Sequence, residues 1–337
     1  MKLHTNRPAR ATVALGALAT AGTLAAATAP ATAPATAPAA AQTPDPGAGI
    51  NYEVRDDRLR YGESIDMRGR ATGRTPGTLV SLLYRGNTLD DWVELDVDEL
   101  DDQGRFRLEG ENRRRSGEAR VVVGRQTARA AVNGEGLAPE LTSRAEEITI
   151  ASQLRADEAD EDTVVRAGRS ATVTGTLRPG FEGREVVLER RDGDGWRTLA
   201  RATTREGGRF TVSHLQERSE AFEVRVRFEE DEINTGWHDS PGRMAFLSRD
   251  GASWYGPGFY GKRTACGQTL TGDIKGVAHK TLPCGTRVVF KRGDRTVTAR
   301  VIDRGPFAAG RQWDLAPAVK QALGYSGDGP VWAAVDR

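Results

Sequence analysis

Between Trp254 and Phe307 the chain gathers both of its cysteines, Cys266 and Cys284, a histidine, His279, and an aspartate in a Gly/Pro-rich corner, Asp303-Arg304-Gly305-Pro306-Phe307. An aspartate in such a corner can act as a general acid and base. A nearby imidazole can hydrogen-bond it or hold substrate. The same aspartate could instead brace the turn by accepting backbone N–H groups, and the histidine could pack in a strand bend. Tyr255, Phe259, Tyr260 and Trp313 carry flat apolar faces that can stack on a ligand ring, with core burial as the competing reading. Gln268 and Arg304 can hydrogen-bond a polar ligand. Two cysteines and one histidine fall short of a zinc set, so neither metal nor cofactor is expected.

These residues must be positioned by strands. Thr286 to Phe290 and Thr296 to Ile302 are β-rich runs joined by a hairpin turn at Lys291 to Arg295, and Val331 to Val335 reads as a last strand. Pro317 to Leu323 is a short helical candidate with Pro in its first turn and Gly324 past its end. Asp314, just ahead of it, is read as a capping residue. A small all-β barrel over 252–337 fits this pattern better than a sandwich. From Ala252 onward there are 13 Lys and Arg against 6 Asp and no Glu, whereas the preceding chain has 35 basic and 41 acidic residues. A basic C-terminal portion suits a polyanionic partner, and the change in composition places a domain boundary near Leu247 to Gly251.

The chain opens with Lys2, His4, Arg7 and Arg10, then an apolar, alanine-rich run from Val13 to Ala29. This is the pattern of a secretory signal. It is too weakly hydrophobic for a stable anchor, so a secreted or wall-associated protein is expected, with no stable membrane span once the signal is cleaved. A Thr-Ala-Pro-Ala tract reaches Ala41, and 42–51 reads as a linker. In an exported chain with two cysteines, a Cys266–Cys284 disulfide is expected.

Residues 52–146 and 147–247 look alike. Gly62 and Gly69 answer Gly168 and Gly175, Trp92 answers Trp196, and Gly104-Arg105-Phe106 answers Gly208-Arg209-Phe210. A period of roughly 105 residues is far above solenoid periods and fits two copies of one domain. Short alternating runs between Gly, Asp and Asn predict two tandem immunoglobulin-like β-sandwich repeats. Their acidic clusters, Asp98 to Asp102 and Asp157 to Asp162, lack a calcium-loop spacing and read as solvated turns. Arg113-Arg114-Arg115 reads as a hairpin tip.

Ala252-Ser253-Trp254-Tyr255-Gly256, Thr264-Ala265-Cys266-Gly267, Ala278-His279-Lys280-Thr281-Leu282-Pro283, Gly285-Thr286-Arg287-Val288 and Asp303-Arg304-Gly305-Pro306-Phe307, followed by Asp314-Leu315, resemble the rare lipoprotein A (RlpA) family. The resemblance implies a six-stranded double-psi β-barrel related to expansins and barwins. It also implies action on peptidoglycan glycan strands, with Asp303 and His279 in the catalytic positions. Where the family usually has an acidic residue, this chain has Gln268, which can bind but cannot donate a carboxylic proton. A lytic transglycosylase can work with one acid, because the muramic 6-hydroxyl itself attacks C1 to leave a 1,6-anhydromuramyl end. Asp303 would protonate the leaving oxygen and then take the hydroxyl proton. The alternative is a non-catalytic, expansin-like protein that binds or loosens the wall. Other anionic wall polymers and division proteins are further partner classes, and nucleic acid is not expected.

Overall fold

The structure, a computed structural model, describes residues 49–111, 115–124, 141–158, 163–327 and 329–337. The expected export signal, the Thr-Ala-Pro-Ala tract, Arg113, Arg114 and residues 159–162 of the second acidic cluster lie outside the described residues. No described helix is long and apolar enough to cross a membrane.

Alternation builds the first half. Arg105–Glu111 is strictly exposed-buried, with Phe106 and Leu108 inward and the arginines outward. It pairs antiparallel with Ser64–Thr72, which pairs with Gly49–Val54. A second sheet runs in the order Arg58–Arg60, Glu146–Ala151, Gly117–Val123, Leu79–Gly86, Val93–Glu99. Ile65, Met67 and Leu108 from the first sheet and Leu82, Val121 and Ile148 from the second share one core.

The same order recurs. Gln153–Ala156, Arg169–Arg178 and Arg209–Gln216 form the small sheet. Val164–Arg166, the long strand Trp237–Trp254, Glu220–Phe228, Glu185–Asp192 and Gly195–Thr203 form the larger one. In both copies the short outer strand pairs parallel while the rest of the copy is antiparallel. The matching spacing of Gly69 and Gly175 has a packing cause. Gly69 lies opposite Phe106 and Gly175 opposite Phe210. A Cβ at either glycine would collide with that ring and with the carbonyl of Asn51 or Arg155. The aromatic ring thus lies across bare backbone in both copies. Trp92 lies between the guanidiniums of Arg85 and Arg120, and Trp196 between those of Arg191 and Arg225.

No linker separates the second copy from the C-terminal portion. The 18-residue strand Trp237–Trp254 passes straight through the expected boundary. Its first part pairs with Glu220–Phe228, and from Ser248 it pairs with Gly329–Val335 and, parallel, with Trp313–Leu315. Gly276–Ala278 pairs antiparallel with Trp313–Leu315 and parallel with Arg295–Asp303. Arg287–Arg292 forms the predicted hairpin with Arg295–Asp303 and also pairs with Gly329–Val335. Val277, Val288, Phe290, Val301, Trp313, Leu315 and Val331 fill the core of this portion. A smaller apolar cluster of Ala221, Ala245, Leu247, Val289 and Ala334 joins it to the second copy.

The helix Pro317–Ala322 lies at the predicted place, but its N-cap is Ala316, with no side-chain cap. Asp314 is therefore not a capping residue. It belongs to the strand Trp313–Leu315, where alternation turns it away from its core-facing neighbours.

Candidate active site

A β-bulge aims Asp303. Val277 pairs with Val301, but Ala278 pairs with Asp303, so the register slips past Ile302. A bulge of this kind re-aims the following side chain. Without it Asp303 would share the core face with Val301. With it, Asp303 lies in a row with Ala278 and, one strand further, Asp314. Residues opposite one another in a sheet share a face, so two carboxylates lie on the same face with a small residue between them.

Asp303 is half-buried. Its Oδ1 accepts the backbone N–H groups of Ala265 and Arg304, each at 2.8 Å. That oxygen braces the corner, while Oδ2 has no hydrogen bond to the described residues. The guanidinium of Arg304 turns away from the carboxylate, toward the carbonyls of His279 and Asp303 and the Sγ of Cys284.

His279 joins Asp303 through the backbone, its N–H donating to the Asp303 carbonyl at 3.1 Å. No hydrogen bond joins the two side chains. The Nδ1 of His279 accepts the N–H groups of Leu282 at 3.0 Å and Thr281 at 3.2 Å, which leaves the ring proton on Nε2. Burial, and then the positive charge of Arg304, push the imidazole below its ordinary pKa. The ring is thus neutral near pH 7 and offers an N–H donor. It packs against Trp313 at 4.6 Å between centroids.

Trp313 itself is 2% exposed, and its Nε1 donates to Asp250. Its faces are covered by Phe290 and His279, so it supports the histidine and does not stack on a sugar. Phe259 and Tyr260, at 53% and 44% exposure, do present open faces. Phe307 is 85% exposed and follows the Asp303 corner directly. An apolar ring that the turn leaves in water is the signal that could have added it to the aromatic set. Gln268 is exposed, and its Oε1 accepts the Thr264 hydroxyl at 3.3 Å. The Cys266–Cys284 disulfide is formed, with Cα atoms 5.6 Å apart. It ties the segment bearing Ala265 and Gln268 to the segment bearing His279.

Tyr255 packs edge-on to Phe259, and its ring lies on Leu270, Ile302 and Ala316. Its hydroxyl is buried with no hydrogen-bond partner among the described residues. Burial, then the charges of Asp303 and Asp314, push the phenol well above its ordinary range. It therefore stays protonated beside the two carboxylates. Tyr255→Phe removes a buried polar atom that pairs with nothing, so stability is expected to hold or rise by up to about 1 kcal/mol. A thermal melt checks this, and a clearly lower melting temperature would show that the hydroxyl has a partner.

Residues 248–333 match the family model described as lytic transglycolase. The probable endolytic peptidoglycan transglycosylase RlpA of Synechocystis sp. is 45% identical over 87 residues, which cover 25% of this chain and 27% of that protein. The endolytic peptidoglycan transglycosylase RlpA of Campylobacter jejuni is 45% identical over 84 residues, 24% of this chain and 30% of that protein. The chain thus spans less than a third of the length of these curated relatives. Among solved structures, a tetra-tandem repeat from the extending region of a large adhesion protein covers 81% of this chain and is itself covered to 67%, at 12% identity and a TM-score of 0.32, a likeness too slight to carry an argument. The ordered motifs, the matched span and the level of identity agree in making residues 248–333 similar to the lytic transglycolase family.

Proposed function

We propose that this chain is a secreted, wall-associated lytic transglycosylase that cleaves peptidoglycan glycan strands and leaves 1,6-anhydromuramyl ends. The observation that carries the reading is Asp303. Its Oδ1 is fixed by two backbone N–H groups while Oδ2 is left for proton transfer, within a domain 45% identical to proteins named as endolytic transglycosylases. Asp303 protonates the glycosidic oxygen and then accepts the proton of the muramic 6-hydroxyl. The Nε2–H of neutral His279 supplies a hydrogen-bond donor to the sugar or to the developing charge. Phe259, Tyr260 and Phe307 offer faces for pyranose rings, and Gln268 and Arg304 offer hydrogen bonds. Asp314, on the same face as Asp303, supplies a second carboxylate where Gln268 cannot, so the departure at Gln268 does not by itself argue for the expansin-like reading.

Residues 252–337 are read as a six-stranded double-psi barrel, and 52–146 and 147–247 as immunoglobulin-like sandwiches that space the barrel from the export signal or hold it on the wall. The test is mass spectrometry of purified sacculi after incubation with the full chain. Anhydromuramyl products are expected. Reducing-end products alone would indicate hydrolysis, and no products alongside retained pull-down would favour wall binding without catalysis.

A further inference from the structure

An acid sits on the core side of the strand that leads into the candidate site. In Trp237–Trp254, Asp250 and Ala252 are two residues apart and therefore share a face. Ala252 is fully buried in the core of the C-terminal portion, and Asp250 is half-buried. A carboxylate turned inward needs donors, and Asp250 has two. The Trp313 Nε1–H donates to its Oδ2 at 3.0 Å, and the Ser248 hydroxyl reaches its Oδ1 at 3.3 Å. The Ser248 backbone N–H in turn donates to the hydroxyl oxygen of Ser219, just ahead of the strand Glu220–Phe228 of the second copy. The carboxylate is thus fixed on a strand that runs through from that copy.

The indole links this acid to the site. Trp313 is 2% exposed, so its N–H would be costly to leave without an acceptor. Phe290 meets the ring edge-on at 5.2 Å between centroids, and His279 lies against it at 4.6 Å. The imidazole therefore has two restraints. The N–H groups of Thr281 and Leu282 hold Nδ1 and stop the ring from turning over. The indole limits its tilt. The direction of the Nε2–H follows from both.

We propose that Asp250 is a positioning residue for the candidate active site. By holding the indole N–H of Trp313, it fixes the surface on which the His279 imidazole rests, and so the direction in which the Nε2–H points. This rests on the reading of His279 as a donor to glycan.

The test is NMR of the full chain with labelled histidine, beside release of anhydromuramyl products from sacculi. The chain has four histidines, and the signal of His279 is identified by its loss in His279→Gln. An imidazole packed on an indole carries a ring-current shift, which reads the contact itself. Asp250→Asn keeps an acceptor for the indole N–H, so the shift should persist and turnover should stay within about threefold of wild type. Asp250→Leu removes the acceptor. The His279 signal should then lose the shift, and turnover should fall by about tenfold at a temperature where melting curves show the chain folded. Trp313→Phe keeps a ring against the histidine without the N–H. In that background Asp250→Leu should add no further change. The pair leaves no buried donor orphaned, so it carries the test where Asp250→Leu alone unfolds. A His279 signal unmoved by Asp250→Leu overturns the proposal. So do equal losses of turnover in Asp250→Asn and Asp250→Leu, which would assign the effect to charge. So does a further loss in the Trp313→Phe background, which would assign it to a route other than the indole. Absence of anhydromuramyl products from the wild-type chain, by contrast, bears on the catalytic reading, and the His279 signals still decide whether Asp250 sets the imidazole.

Discussion

Asp303→Asn is expected to reduce the release of anhydromuramyl products by about 10²–10⁴-fold, the usual contribution of a positioned general acid and base, with the fold intact. Asparagine keeps a carbonyl oxygen where Oδ1 accepts the N–H groups of Ala265 and Arg304 at 2.8 Å. The corner therefore stays braced, and only the exchangeable proton on the other oxygen is lost. The substitution separates the two roles that the sequence left open. If the aspartate only braced the turn, asparagine would do so nearly as well and activity would survive. Quantifying products from equal amounts of folded wild type and variant, with melting curves beside them, decides the matter. Asp303→Ala is the contrast: it removes the acceptor as well and should lower both activity and stability.

What was legible in the sequence, and what was not, divides along a physical line. Local chemistry could be read directly. The hairpin about Gly293, the short helix between Pro317 and Gly324, and the pairing of the only two cysteines follow from turn residues, spacing and cysteine count. Direction could not be read, because it depends on register. Residue type alone leaves Trp313 between groove and core and reads Asp314 as a cap. Yet Trp-Asp-Leu is an alternating triplet, and strand pairing on both sides puts Trp313 and Leu315 in the core and Asp314 on the face of Asp303. The slip at Ile302 is invisible in a run that reads as an unbroken strand from Thr296 to Asp303. The shift of composition at Leu247 was visible. The continuity of the strand through it was not, since both sides of the change favour extended chain. Arg304 shows the same limit: it is next to Asp303 in the chain, yet its guanidinium goes to Cys284 and to the carbonyls of His279 and Asp303.

Replacing both cysteines, Cys266→Ser with Cys284→Ser, is expected to destabilise the C-terminal domain by roughly 3 kcal/mol, the loop-closure entropy of a short loop. The bridge spans a sequence separation of 18. Within that stretch the regular pairing is the strand Gly276–Ala278, with a single bridge from Thr269 to Arg263. The loss should reach activity as well as stability. Ala265, which fixes Asp303, is the residue before Cys266, and the Arg304 side chain rests against Cys284. Freed of the bridge, the segment 263–268 keeps the backbone bonds Thr264 to Gln268 and Cys266 to Ile302. These hold it near the sheet but no longer link it to the His279 segment. Turnover measured well below the variant's melting temperature, where the chain is folded, should therefore still fall. Denaturant midpoints of the wild type under oxidising and reducing conditions provide the independent measure. A reduced wild type should match the serine variant, and a midpoint indifferent to reductant would show that strand pairing alone holds the segment and that the bridge contributes no stability.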